Sequence, residues 1–299
     1  MWDIIIVGAG PAGLTAAIYA LRANKKVLIF EAKTYGGQIV NAASIENYPG
    51  IEKISGFDYA TNLYNQVKNL GAEFKFETVI RVDEDRSVTT NKGTYKAKSV
   101  ILATGAENRK LRIDREAELV GRGVSYCATC DGNFYKGRDV AVIGGGNTAL
   151  EDAIYLSNIV NKVYLIHRRE EFRADDRYVD EVKSKDNIEL VLNSNVVKLN
   201  GDNKLESLVV ENNDKSTKDI KVDGLFIAVG QEPKNEIFNN VVDLDEKGYI
   251  ISEDGVHTKV KGIYIAGDSR QKSLRQLTTA VSDGAIAATT AIKEAKEIN

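Results

Sequence analysis

Asp3-Ile4-Ile5-Ile6-Val7-Gly8-Ala9-Gly10-Pro11-Ala12-Gly13-Leu14 opens the chain with an apolar run, three glycines spaced Gly-x-Gly-x-x-Gly, and a helical pattern that continues to Ala23. A second apolar run, from Lys26 to Phe30, ends at Glu31, 23 residues after Gly8. Strand, glycine turn, helix, strand and acid in this order make a βαβ dinucleotide-binding unit. Gly8 permits the tight turn, Gly10 lets a pyrophosphate approach the backbone at the helix N-terminus, and Gly13 lets helix and strand pack closely. Glu31 is placed to accept hydrogen bonds from a ribose. A glycine turn alone is a weak signal; the strand, helix and acid at their required distances make this one specific.

The same unit recurs at an offset of 136. Asp139 to Ile143 is a strand, Gly144-x-Gly146-x-x-Ala149 with Asn147 and Thr148 is the turn, Leu150 to Asn158 is a helix, and Lys162 to Ile166 is a strand. Two units imply two nucleotide sites. The position matching Glu31 is His167, followed by Arg168, Arg169 and, past Glu170, Glu171 and Phe172, by Arg173. A carboxylate there would repel a 2′-phosphate, whereas arginines bind one in two-point contacts, so the second site is expected to take NADPH rather than NADH.

A further internal echo pairs Val100-Ile101-Leu102-Ala103-Thr104-Gly105 with Leu225-Phe226-Ile227-Ala228-Val229-Gly230, two buried strands that each close a nucleotide unit. Between Val196 and Asp223, turn clusters at Asn200-Gly201-Asp202-Asn203 and Asn212-Asn213-Asp214 predict a β-meander packed on the second unit. Near the end, Gly262-Ile263-Tyr264-Ile265-Ala266-Gly267-Asp268 is one more apolar strand, followed by Arg275-Gln276 and a helix expected to reach Lys296. That strand needs a sheet to join, and the first unit supplies it. The expected fold is α/β, two Rossmann-like nucleotide-binding domains of three-layer ββα type, the second inserted in the first. The expected division is 1–112 with 245–299 for the first domain and 113–244 for the inserted one.

Both cysteines of the chain sit in Cys127-Ala128-Thr129-Cys130-Asp131, just before the second glycine turn. A Cys-x-x-Cys brings two sulfurs within reach of a small disulfide loop and lowers the pKa of one thiol toward neutrality. Structural zinc would need four ligands, and His167 and His257 are the only histidines, far from each other in sequence. A structural disulfide across two residues closes too short a loop to constrain the unfolded chain much. A redox-active dithiol is the expected role. Asp131 suits a proton donor for thiol exchange, and its type also suits a turn or helix N-cap in Asp131-Gly132-Asn133.

With 43% hydrophobic and 28% charged residues in 299, the chain is expected to be globular, and its net charge of −3 offers no basic footprint for nucleic acid. No apolar stretch approaches the roughly 18 residues that a membrane span requires. Ile4 to Val7 is too short for the apolar part of a signal peptide and follows Asp3 rather than a basic stretch, so a cytoplasmic location is expected.

These motifs in this order resemble the bacterial low-molecular-weight thioredoxin reductase family over essentially the whole chain. The motifs that carry the resemblance are the two glycine turns, Gly36-Gly37-Gln38, Glu46-Asn47-Tyr48-Pro49-Gly50, Ala103-Thr104-Gly105, the Cys127 to Asp131 segment, His167 to Arg173, Gly267-Asp268 and Arg275-Gln276. The resemblance implies an NADPH-dependent flavoprotein disulfide reductase that passes electrons from NADPH through FAD and the Cys127–Cys130 pair to oxidised thioredoxin, working as a homodimer. It places FAD on Gly8, Gly10, Gly13, Glu31, Gly37, Gln38, Asn47, Thr104, Gly105, Gly267, Asp268, Arg275 and Gln276, with Asp268 on the ribityl or phosphate portion. It places NADPH on Gly144, Gly146, Asn147, Thr148, His167, Arg168, Arg169 and Arg173. It also makes Cys130 the sulfur nearer the flavin and Cys127 the thiol that attacks the partner. Other disulfide carriers related to glutaredoxin or peroxiredoxin, a ferredoxin-driven variant and a non-catalytic NADPH or redox sensor are the alternatives. One departure stands out: the family commonly has Gly-Ile-Pro-Gly-Glu where the chain is expected to cross between domains, and here Leu111-Arg112-Ile113-Asp114-Arg115-Glu116 has neither glycine nor proline.

Overall fold

The computed structural model describes residues 1–42, 44–252 and 255–295. In chain order its first elements are β1 (Trp2–Val7), α1 (Pro11–Arg22), β2 (Val27–Glu31), α2 (Gly56–Asn69), β3 (Glu73–Phe76), β4 (Val79–Val82), β5 (Ser87–Thr90) and β6 (Thr94–Leu102). Next come β7 (Glu107–Asn108), α3 (Glu116–Leu119), β8 (Val124–Ser125), α4 (Ala128–Asp131), β9 (Asp139–Ile143), α5 (Asn147–Ser157), β10 (Lys162–Ile166), α6 (Asp176–Ser184) and β11 (Ile188–Val191). The remainder is β12 (Ser194–Asn200), β13 (Ser207–Asn212), β14 (Thr217–Lys221), β15 (Gly224–Ile227), β16 (Gln231–Glu232), β17 (Ile263–Ile265) and α7 (Leu277–Glu294). The expected end of α7 at Lys296 lies outside the described residues.

Two compact units emerge, the first comprising Met1–Val40, Ile45–Glu107 and the chain from Glu232 onward, the second built on Asn108–Gln231. In the first unit β3, β2, β1, β6 and the returning β17 are mutually parallel, and β5 and β4 extend the sheet antiparallel from β6. Ile4-Ile5-Ile6-Val7 is continuously apolar because both faces of this sheet are covered. Ile4 and Ile6 pack with α1 and α7 residues such as Leu14 and Ala287, while Ile5 and Val7 pack with Val82, Val88 and Phe238 on the other face. The second unit has a five-stranded parallel sheet in the order β11-β10-β9-β15-β8. Val140 and Val142 of β9 face Leu150, Ala153 and Leu156 of α5, and Ala141 and Ile143 face the antiparallel meander β12-β13-β14 through Val196, Leu208 and Val210. Helix, parallel sheet and meander are the three ββα layers that the sequence leads one to expect.

The boundaries differ from expectation. The units part at 107/108 and 231/232 rather than 112/113 and 244/245. Residues 233–244 stay with the first unit because Phe238, Val241 and Val242 fill its core, and buried Asn235 donates to Gly248 O and Ser269 O, each at 2.9 Å. Leu111 to Glu116 therefore lies inside the second unit, not at the crossing. Arg112 and Arg115, with φ of 60° and 64°, adopt the left-handed backbone that glycine would take without strain. Buried Glu116 holds this turn by accepting from Leu111 N at 3.1 Å, Arg112 N at 2.7 Å and Tyr126 Oη at 2.6 Å. Arg115 also donates to Gly201 O, to Asp202 O and to Glu118.

Candidate active site

In the first unit the glycine turn is closed by sterics. A Cβ on Gly8, whose φ is 109°, would stand 2.3 Å from Ala103 O, and one on Gly13 would stand 2.0 Å from Gly8 O. Gly10, by contrast, would meet only Gly37 Cα at 4.0 Å, so backbone faces backbone across a space that side chains leave open. Gly10 caps α1 with no side-chain bond, leaving the first-turn N–H groups of a 12-residue helix for an anion. Glu31 accepts from Ala9 N at 2.9 Å and Lys33 N at 2.8 Å, one bond per carboxylate oxygen, which leaves further lone pairs for ribose hydroxyls. Gly267 is brought against Ala12 in the first turn of α1. Asn47 donates to Gln276 at 3.2 Å, and Thr104 to Asn235 at 3.3 Å. The Arg275 guanidinium lies 3.9 Å from the centre of the Tyr249 ring, and its Nε is buried with no hydrogen-bond partner. Open backbone at Gly10 and Gly105, together with that orphaned donor, fits a dinucleotide such as FAD.

The second unit repeats the device. A Cβ on Gly144 would meet Ala228 O at 2.4 Å, as one on Gly8 meets Ala103 O; Ala103 and Ala228 are the matching positions of the strand echo. Gly146 caps α5, again with no side-chain bond. The arginine loop folds back over this turn: Arg173 N donates to Gly145 O at 2.6 Å, and Asn147 and Asp175 exchange bonds of 2.9 and 3.1 Å. Arg168, Arg169 and Arg173 are exposed beside it, as are Asn147 and Thr148. His167 is different. It is 8% exposed, stacks on Phe172 at 5.3 Å, lies where a Gly145 Cβ would stand, and donates through Nε2 to Glu171 O at 3.1 Å. Burial, with the neighbouring arginines adding, holds its pKa below the ordinary histidine value, so it is neutral at pH 7.

Cys127 and Cys130 are joined in a disulfide at the start of α4. Asp131 follows directly, closing α4 and standing at the N-cap position of the next helical turn, Gly132–Tyr135, where its side chain makes no capping bond. Its Oδ2 accepts from Ser125 Oγ at 2.6 Å and its Oδ1 is buried with no hydrogen-bond partner. Burial pushes this carboxyl above the ordinary carboxylate range, with the Ser125 bond opposing. Ser125 Oγ also receives Cys127 N at 3.1 Å, which links the disulfide loop and the acid through one hydroxyl. A disulfide, a protonatable acid and a second nucleotide turn thus share one unit.

A family model described as pyridine nucleotide-disulphide oxidoreductase matches residues 2–284. The chain belongs to the pyridine nucleotide-disulphide oxidoreductase family. Among curated members it resembles a thioredoxin reductase of Listeria monocytogenes, 42% identical over 303 residues that cover 100% of this chain and 95% of that one. A thioredoxin reductase of Bacillus subtilis is 41% identical over 293 residues, 96% of this chain and 93% of its own. The crystal structure of a thioredoxin reductase from Streptococcus pyogenes superposes with a TM-score of 0.94 at 39% identity, covering 99% of each chain.

Sequence reasoning passed over several polar residues in the segments around these motifs. Ser125 carries no motif, and only its place six residues before Asp131 could have suggested it. Asp152, on α5, has its carboxyl pushed up to about 7 by burial, with Glu151 adding. Behind Gly267 and Asp268, Asp283 gathers Gly267 N, Arg270 and Lys272 around one buried carboxylate, and the charges of Arg270 and Lys272 overcome its burial to hold its pKa below the usual range. Among the described residues no helix is long and apolar enough to cross a membrane, and no cluster of metal ligands occurs.

Proposed function

We propose that the protein is a thioredoxin-disulfide reductase, taking two electrons and a proton from NADPH, with one proton from solvent, to convert oxidised thioredoxin to its dithiol. The observation that carries this reading is the Cys127–Cys130 disulfide beside a carboxyl whose pKa is raised, in the unit that also holds the arginine-lined nucleotide turn. FAD, when bound, supplies the hydride-accepting and electron-storing chemistry that side chains lack. The chain supplies the rest. Gly8, Gly10, Gly13, Glu31, Gly37, Gln38, Asn47, Thr104, Gly105, Gly267, Asp268, Arg275 and Gln276 hold FAD. Gly144, Gly146, Asn147 and Thr148 take the pyrophosphate end of NADPH, Arg168, Arg169 and Arg173 its 2′-phosphate, and buried His167 supports their loop. Two electrons break the Cys127–Cys130 bond; Asp131 provides a proton to the sulfur that would otherwise leave as thiolate, and Cys127 as thiolate attacks the thioredoxin disulfide. Cys130 then displaces the reduced partner and restores the original bond. The expected assembly is a homodimer, and the expected location is the cytoplasm, where NADPH is the reductant.

Anaerobic stopped-flow absorbance tests this. Flavin absorbance should bleach with NADPH, far more slowly with NADH, and recover on mixing with oxidised thioredoxin. Bleaching without recovery points to another disulfide carrier, and no bleaching by either nucleotide removes the arginine assignment. Light scattering of the holoprotein at twice the chain mass checks the dimer.

A further inference from the structure

Lys272 belongs to none of the sequence motifs, yet its side chain is 7% exposed. Its Nζ lies 2.9 Å from Asp268 Oδ1, 3.2 Å from Asp283 Oδ2 and 3.3 Å from Thr279 Oγ1 in the first turn of α7. Burying an ammonium costs several kcal/mol unless opposite charge and hydrogen bonds surround it, and here they do. Arg270 completes the group with bonds of 2.8 and 3.0 Å to the two oxygens of Asp283. Two carboxylates and two cations leave the cluster neutral.

The two carboxylates depend on Lys272 unequally. Asp283 keeps Arg270 and the Gly267 N–H, at 3.1 Å, without it. Asp268 does not: its Oδ1 is buried and without a hydrogen-bond partner among the described residues, so the 2.9 Å ion contact with Lys272 is what holds it. The preceding residue, Gly267, sits against Ala12 beside the open glycine turn. We propose that Lys272 is a positioning residue for FAD, fixing Asp268 by one oxygen so that the other meets a hydroxyl of the ligand, and cancelling the negative charge that Asp268 would otherwise set beside the pyrophosphate. This rests on the reading that Asp268 holds FAD.

A double-mutant cycle on the full chain tests it, with the FAD dissociation constant read from flavin fluorescence and the thermal midpoint of the apoprotein read alongside. Asp268→Asn and Lys272→Met should each raise the dissociation constant by about 10- to 100-fold, the effect of a lost bond to a charged group. The double variant should bind no worse than Asp268→Asn alone. Lys272→Arg, which keeps the charge, should lose less than Lys272→Met, and only while Asp268 is present; it carries the same cycle should Lys272→Met fail to fold. Losses that add in full overturn the proposal alone, because Lys272 then acts through Asp283 on the fold. Wild-type FAD binding by Asp268→Asn overturns the underlying reading and the proposal together.

Discussion

At the scale of one residue, Asp131 sets a cost in stability against the proton-donor role proposed for it. Its folded pKa is raised, so the folded protein holds this proton more tightly than the unfolded chain, and ionisation as pH climbs from the ordinary carboxylate range through the raised value takes stability away. Asp131→Asn should therefore be more stable than the parent at pH 8, by on the order of 1 kcal/mol, with the gap closing toward pH 4.5 in urea titrations. The same variant should slow reduction of the disulfide by the flavin by roughly 100-fold, and lose the parent's fall in rate with rising pH. A variant that is no slower removes Asp131 from the proton path. Arg112 carries a different cost. It is exposed, left-handed at φ 60°, and its contribution to the turn is its backbone N–H, which glycine keeps. Arg112→Gly should raise the urea midpoint by an amount equivalent to about 1 kcal/mol; an unchanged or lower midpoint would show that the turn carries no such strain.

Among elements, the pairing of α1 with α7 decides whether the first nucleotide turn is held in place. A Cβ on Gly284 would stand 2.1 Å from Ala12 O, so the two helices approach closely only because this position is glycine. Alanine favours a helix by about 1 kcal/mol over glycine, yet Gly284→Ala should lose about 1–3 kcal/mol net and purify with less bound FAD, because overpacking outweighs propensity. Full flavin content at parental stability would contradict this. In the second unit, Asn147 ties the start of α5 to Asp175, the cap of α6, with the arginine loop between them. Asn147→Ala should raise KM for NADPH roughly tenfold with kcat little changed, a loss of binding felt equally before and at the transition state. A fall in kcat at constant KM would place Asn147 in the chemistry instead. The glycine turns were legible in sequence because sterics admit nothing larger at Gly8 and Gly144. The burial of His167 was not, since it depends on Phe172 and Gly145 meeting its ring. Lys272 was equally hidden, because its two acidic partners come from the turn after β17 and from the middle of α7.

For the molecule as a whole, the order of units could be read from sequence while their edges could not. Glu236 to Leu244 has apolar residues that would suit either core, and only the packing of Phe238, Val241 and Val242 against Val82 and Val88 assigns them to the first. Each unit has its own pair of cores on the two faces of its own sheet, and each has its own dinucleotide turn. A ligand that binds only the folded form of one unit stabilises that unit by RT ln(1 + [L]/Kd), about 2.7 kcal/mol at a hundred times Kd. Calorimetry of the apoprotein should accordingly show two transitions. FAD should raise the midpoint of one and NADP+ that of the other, with Arg168→Ala/Arg169→Ala erasing the NADP+ shift and leaving the FAD shift intact. A single transition moved equally by both ligands would mean that the units unfold as one, and that neither nucleotide turn can be assigned to its ligand by stability alone.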